Sequence, residues 1–364
     1  MNAPWRLFAD DGVGAAEGLA LDEALMARYA RDEPDRPPTL RLYSYRDHCA
    51  LIGRYQNLEA ELDLEACRRD AVEVSRRLTG GGAIVMGSGQ LGVAYVDRAP
   101  VHERPRETIA KLSAALVRGL GGLGIMASFE GKNDLEVAGR KIAGLGLYAD
   151  QSGAMLFHAS VLCDLDVGFM VQVLKIPAAK LDGRAIAAVG ERVTTVSAVT
   201  GSRHDATTLR PLVARGFSES FDVLLEPEKP DEDEQARAEA LAEGRYRSQS
   251  WLHERSASPD ANGSALLKTP AGLARIYLAT HGDVVKSALV AGDFNELPAE
   301  LAALEAALRW RRLDHDSVLE VVARSGAARA LGVGTEDLVA AVMMAGDAST
   351  EAPGGAVRAS AAKS

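Results

Sequence analysis

Three consecutive glycines, Gly80, Gly81 and Gly82, follow Arg76-Arg77-Leu78-Thr79 and immediately precede the apolar run Ala83-Ile84-Val85-Met86. Glycine gives up more backbone freedom on ordering than any other residue, so three in a row mark a turn that feeds a strand starting at Ala83. Backbone N–H groups free of side chains, with two guanidinium groups beside them, can receive a phosphate or a carboxylate. The same residues serve equally well as an ordinary tight turn. The segment lacks the Gly-Lys-Ser/Thr ending of a Walker loop and the glycine spacing of a dinucleotide-binding fingerprint.

Helical and strand-like periods alternate around that loop. Residues 16–31 place Leu21, Leu25 and Tyr29 at helical spacing with Asp22, Glu23 and Arg28 between them, the pattern of an amphipathic helix. Residues 39–45 and 49–52 read as strands, and 83–86 with 91–96 as a strand pair turned by Gly87-Ser88-Gly89. Helical period returns over 105–123 through Ile109, Leu112, Leu116 and Leu120. Between 126 and 161 short β-like runs alternate with Gly, Asn and Asp, which places the motifs there on loops at a sheet edge. Further helices are expected at 167–174, 207–221 and 231–244, the last opening on the acidic run Asp231-Glu232-Asp233-Glu234 that suits a helix N-terminus.

A chain of 364 residues exceeds the usual size of one domain. Ser, Asp, Asn, Gly and Pro dominate 256–264, which reads as a linker, and the boundary is set near Tyr246. Beyond it, 273–279 and 284–291 form a hairpin around Thr280-His281-Gly282-Asp283, followed by helices at 298–310, 317–325 and 335–345. The expected division is a domain over 1–246, a small α+β domain over 247–346 and a disordered tail over 347–364. A net charge of −10 argues against nucleic acid and anionic membranes as partners. With no leader-like start and no long apolar run, the expected location is the cytoplasm. Cys49, Cys67 and Cys163 are odd in number and scattered, so they read as reduced core thiols, and the dispersed histidines show no metal-ligand spacing.

A second motif, Gly131-Lys132-Asn133-Asp134-Leu135, is followed by Gly139-Arg140-Lys141-Ile142-Ala143-Gly144. Lysine between glycines suits a phosphate or a developing acyl-phosphate charge, although a basic loop is more commonly solvated surface. With the glycine loop, these segments resemble the lipoate–protein ligases of the biotin/lipoate ligase superfamily. Leu21-Asp22-Glu23-Ala24-Leu25 is similar to that family's first-helix signature, and Ile52-Gly53-Arg54-Tyr55-Gln56-Asn57 to its Gly-Arg-x-Gln-Asn turn. Residues 76–83 resemble its Arg-Arg-x-Ser/Thr-Gly-Gly-Gly-Ala loop, His158-Ala159-Ser160-Val161-Leu162 its His-Gly-Thr-Leu-Leu strand, and 189–196 its Val-x-x-Arg-Val-Thr-x-Leu segment. Gly282-Asp283-Val284-Val285 and Gly292-Asp293-Phe294 resemble the accessory domain.

The resemblance implies an α+β fold with a mixed, largely antiparallel sheet flanked by helices and a small C-terminal accessory domain. It implies adenylation of lipoate by Mg-ATP, then transfer of the lipoyl group to a lysine of a carrier. The implied carriers are lipoyl domains of 2-oxoacid dehydrogenase E2 subunits, the glycine cleavage H protein or another lipoyl carrier. Lys141 would be catalytic; Arg77, Gly82, Ala83, Ile84, Val85, Asn133, Asp134 and Lys141 would bind the nucleotide. Lys141, Arg77, Gly81 and His158 would bind lipoate, and Asp134 would meet Mg²⁺. The chain departs from the family where Met86 replaces a histidine, where Phe157 precedes His158, and at Ser250-Trp251-Leu252-His253. The competing readings are a cysteine-dependent octanoyl- or lipoyltransferase of the same superfamily and a non-catalytic lipoate-binding protein. The first needs a thiolate, yet Ala127-Ser128-Phe129 stands where one transferase group carries its cysteine.

Overall fold

The computed structural model describes residues 3–34, 36–131, 133–175, 189–347 and 356–358. In chain order its first part runs β1 (Trp5–Val13), α1 (Ala15–Met26), β2 (Thr39–Tyr45), β3 (Cys49–Ile52), α2 (Leu58–Glu61), α3 (Leu64–Arg69), β4 (Glu73–Arg76), β5 (Ile84–Met86), β6 (Gln90–Arg98) and α4 (Pro105–Gly121). It continues through β7 (Ser128–Glu130), β8 (Asp134–Val137), β9 (Arg140–Ala149), β10 (Ala154–Leu162), α5 (Val167–Val173), α6 (Val196–Thr200), α7 (Ala206–Phe221), β11 (Leu225–Pro227), α8 (Glu232–Leu241) and α9 (Gln249–Leu252).

Eight strands form one mixed sheet in the order β11-β1-β2-β6-β10-β9-β8-β7. β1 runs parallel to both its neighbours, and the remaining pairings are antiparallel. Alternate side chains leave opposite faces of a strand, so Leu40 and Leu42 join one core with α4 and α7, while Tyr43 and Tyr45 join another with α1. α4 and α7 cross at Gly119 and Gly216, where a methyl on Gly216 would lie 2.2 Å from the Ala115 carbonyl, so the helices touch backbone to backbone. This is the expected α+β architecture.

β4, β3 and β5 form a separate three-stranded sheet. The hairpin expected between 83–86 and 91–96 is therefore not made: β5 pairs with β3, whereas β6 pairs with β2 and β10. The reason is burial. β6 is apolar on both faces through Val96 and needs two neighbours, so Gly87-Ser88-Gly89 carries the chain from one sheet to the other instead of folding it back. Nor is the first helix amphipathic. It lies between the sheet and α8, with Ala16, Leu19, Ala20, Leu25 and the charged Asp22 all buried.

Asp231 caps α8 by accepting the Glu234 N–H, and Glu234 is buried against Arg6 and Arg28 at 2.7 and 2.9 Å. Trp251 still packs into the core around α1. A second core then begins with β12 (Gly263–Thr269), β13 (Gly272–His281) and β14 (Val284–Gly292), where Gly282 at φ +58° turns the expected hairpin. Helices α10 (Ala299–Leu308), α11 (His315–Ser325), α12 (Ala327–Leu331) and α13 (Thr335–Asp347) cover that sheet, and β15 (Ala356–Arg358) adds a parallel strand to β12. The rest of the expected tail, 348–355 and 359–364, and Lys132 lie outside the described residues. Among the described residues no helix is long and apolar enough to cross a membrane.

Candidate active site

A pocket opens on the α1 side of the large sheet, lined by the glycine loop, β5, β9 and β10. Arg77, Gly81, Gly82, Ile84, Asn133, Lys141 and His158, distant in sequence, all line it. Two-residue alternation along β5 turns Ile84 and Met86 toward the pocket and Val85 into the cluster behind it, against which Ala83 also packs. At Ala83 and Val85, then, only the backbone is available to a ligand.

The loop is shaped by the arginine beside it. Arg77 is buried, and its guanidinium donates to the carbonyls of Leu51 (2.7 Å), Gly80 (2.9 Å) and Gly82 (2.9 Å). Burial pushes its pKa down to about 10, which still leaves it cationic at neutral pH. Gly81 sits at φ +88°, and Gly53 comes so close that a methyl on it would stand 1.9 Å from the Gly81 carbonyl. The second core closes over the same loop: the Gly81 N–H donates to the Phe294 carbonyl at 2.9 Å.

Lys141 is clamped at its backbone. Its N–H donates to the Arg192 carbonyl and its carbonyl accepts from Thr194, both at 2.8 Å, so the 189–196 segment fixes where the side chain starts. Its ammonium Nζ lies 2.7 Å from Asp134 Oδ1. That contact is charge to charge, and the Asp134 oxygen stays buried with no aligned hydrogen-bond donor. The neighbouring Gly144 leaves the lysine stem its space, since a methyl there would lie 3.0 Å from Nζ.

Sequence reasoning missed the group behind His158. His158 Nε2 lies 2.8 Å from Asp22 Oδ2, while Asp22 Oδ1 accepts from Arg41 Nη1 at 2.7 Å. Burial alone would raise the Asp22 pKa, but the Arg41 charge and the hydrogen bonds from His158 and Arg41 outweigh it and hold the carboxyl below its ordinary range. The available signal was an acidic residue in the α1 run Leu19-Ala20-Leu21-Asp22, one turn from apolar neighbours on each side. Tyr45 also lines the pocket, and its buried hydroxyl has no hydrogen-bond partner among the described residues.

The three thiols stand apart from this chemistry. Cys49, Cys67 and Cys163 are free and buried. Burial raises each thiol above its usual range, Cys163 to about 12. Among the described residues no three His, Cys, Asp or Glu side chains form a metal cluster. Asp134 Oδ1 already faces the Lys141 ammonium, so a cation that takes only one protein carboxylate would meet the other Asp134 oxygen and fill its shell with phosphate and water.

The family of the lipoyl protein ligase A/B catalytic domain matches residues 14–218. The octanoyltransferase LipM of Symbiobacterium thermophilum is 28% identical over 274 residues, covering 69% of this chain and 98% of that protein. A bi-partite lipoate protein ligase from Thermoplasma acidophilum, characterised with its E2 lipoyl domain, superposes with a TM-score of 0.63 at 27% identity, over 71% of this chain and 99% of that one. A lipoate–protein ligase A bound with ATP superposes with a TM-score of 0.59 at 26% identity, over 70% of this chain and 99% of that one. Since the matched segment spans more than half of the 364 residues, the chain belongs to the lipoyl protein ligase A/B catalytic domain family and is an enzyme of the lipoate ligase/transferase superfamily.

Proposed function

We propose that the chain is an ATP-dependent lipoate–protein ligase. The observation that carries this reading is Lys141 Nζ beside Asp134 in the pocket under the glycine loop, in a chain whose three thiols are all buried and protonated. The relatives named octanoyltransferase favour acyl transfer through a thioester, but that route needs an accessible thiolate. Cys163 lies in the core behind the sheet, hydrogen-bonded to the Val161 carbonyl, with its thiol pKa near 12.

In the first step the lipoate carboxylate attacks the α-phosphate of ATP, forming lipoyl-AMP and releasing pyrophosphate. Lys141 bridges the two anions and offsets charge as it develops between them. With the Gly81 N–H taken by the Phe294 carbonyl, the Gly82 and Ala83 N–H groups of the loop receive phosphate, and Asn133 lies at the same mouth. Asp134 would supply one oxygen to Mg²⁺, which when bound neutralises phosphate charge. His158, held by Asp22, fixes the acyl end. The free volume under the loop is about 70 Å³, so the dithiolane tail enters as the flexible Met86 side chain swings aside. In the second step the ε-amine of a carrier lysine attacks the acyl carbon, forming the amide and releasing AMP. Lipoyl domains of E2 subunits, or the glycine cleavage H protein, present such a lysine. The expected location is the cytoplasm.

The discriminating assay is lipoate-dependent exchange of labelled pyrophosphate into ATP. Exchange that persists in Cys163→Ala supports the ligase. Octanoyl transfer from an acyl carrier protein without ATP, lost in Cys163→Ala, would replace it with the transferase.

A further inference from the structure

The segment Arg309-Trp310-Arg311-Arg312 leaves α10 and returns along the edge of β14. Trp310 sits at φ +64°, a conformation that costs a bulky residue energy. It is held there from both sides: its N–H donates to the Val285 carbonyl at 2.7 Å, the Arg311 carbonyl accepts from Val285 at 2.9 Å, and the Leu313 N–H donates to the Asp283 carbonyl at 2.6 Å.

Burial does not offset that cost, because Trp310 is 64% exposed. Glycine or asparagine would make the same turn with less strain and no loss of core. The indole therefore does not serve the fold. Its ring carries the Arg309 guanidinium, 5.5 Å from the ring centroid. Arg312 is engaged by Asp283 at 2.8 Å, whereas Arg309 and Arg311 are exposed and make no ion pair among the described residues.

An exposed tryptophan flanked by uncommitted arginines is the composition of an interface hot spot. Its charge narrows the partner. The whole chain carries −10, and Arg312 is neutralised by Asp283, so Arg309 and Arg311 are the two cations this segment offers to an acidic surface. Two cations are too few for an extended polyanion such as nucleic acid, whose binding draws on many phosphate contacts. The spot lies on the second core, beyond the family-matched 14–218, and that core touches the glycine loop through Phe294.

We infer that Arg309, Trp310 and Arg311 form a docking surface for an acidic face of the protein that presents the acceptor lysine. The identity of that partner rests on the ligase reading; the surface itself does not. The test is the dissociation constant of the full chain for an apo lipoyl domain of net acidic charge, measured without ATP or acyl donor, so a failed ligase assay leaves the readout standing. Trp310→Gly removes the indole and relieves the backbone together. The expected result is an unchanged or raised melting temperature with a dissociation constant about tenfold higher. Arg309→Ser with Arg311→Ser is expected to weaken binding about fivefold and to flatten its salt dependence. The inference is overturned if the unaltered chain does not bind the domain, if both variants bind it unchanged, or if Trp310→Gly lowers the melting temperature. Tighter binding of a single-stranded oligonucleotide than of the lipoyl domain overturns it too.

Discussion

Arg76 and Trp251 hold each other from both ends: Arg76 Nε donates to the Trp251 carbonyl, and Trp251 Nε1 donates to the Arg76 carbonyl, each at 2.9 Å. The remaining Arg76 donors reach the carbonyls of Gly53, Arg54, Gln56 and Leu252 at 2.6 to 3.2 Å. One planar guanidinium thus ties the strand before the glycine loop to the turn beneath it and to the chain leaving for the second core. Burial, with Arg54 and Arg255 nearby, pushes its pKa down to about 9, so it remains charged at neutral pH.

Lysine at this position cannot reproduce that fork and leaves buried carbonyls unpaired at about 1–3 kcal/mol each. Arg76→Lys is expected to lower unfolding free energy by about 3 kcal/mol. Urea unfolding checks the loss, and limited proteolysis checks for new cutting near Leu252.

Asp22 sets an acid limit on stability. Its folded pKa lies below the ordinary 3.8, so the stability it adds is fully present above the unfolded carboxylate range and is lost as pH falls through the folded value. Asp22→Asn leaves the buried Arg41 with Asp10 as its remaining counter-charge, at 2.7 Å, and is expected to cost about 2–3 kcal/mol at pH 7. Unfolding free energies measured from pH 7 down to acid should fall less steeply in the variant than in the unaltered chain.

Gly53 and Gly82 are opposites. A methyl on Gly53 meets the Gly81 carbonyl at 1.9 Å, whereas one on Gly82 meets nothing within 4 Å. Gly53→Ala is expected to cost more than about 2 kcal/mol, and Gly82→Ala to stay within about 0.5 kcal/mol of the parent. Thermal unfolding of both variants tests whether the loop is shaped from beneath, by Gly53, and not by its own last glycine.

Much of this architecture is legible in local sequence because periodicity reports which face of an element is buried. That signal locates β2, β3, α4 and the hairpin of β13 and β14. It fails where burial is two-sided. α1 shows an apolar stripe, but Asp22 faces the sheet, where Arg41 and Tyr43 of β2 and His158 of β10 hold it, so it looks like surface and is core. The β5–β6 hairpin fails for a related reason: adjacent strands with a glycine turn satisfy the local rule, and only the burial of both β6 faces overrides it. Strands β1 and β12 escape notice because Asp10-Asp11 breaks the apolar pattern of β1 in its second half and the polar 256–264 run masks the start of β12. The glycine loop and Lys141 are visible as motifs. Their shared pocket depends on Arg77 and on the 192–194 clamp, which are contacts across the fold that no local pattern encodes.

The most direct test of the ligase account is the intact mass of an apo lipoyl domain after incubation with the chain, lipoate and Mg-ATP, beside Lys141→Ala. The account predicts a lipoyl mass increment that requires ATP and a rate about 10²–10³-fold lower in the variant, from loss of the bridging charge. An increment formed without ATP, or at an unchanged rate by Lys141→Ala, would contradict it.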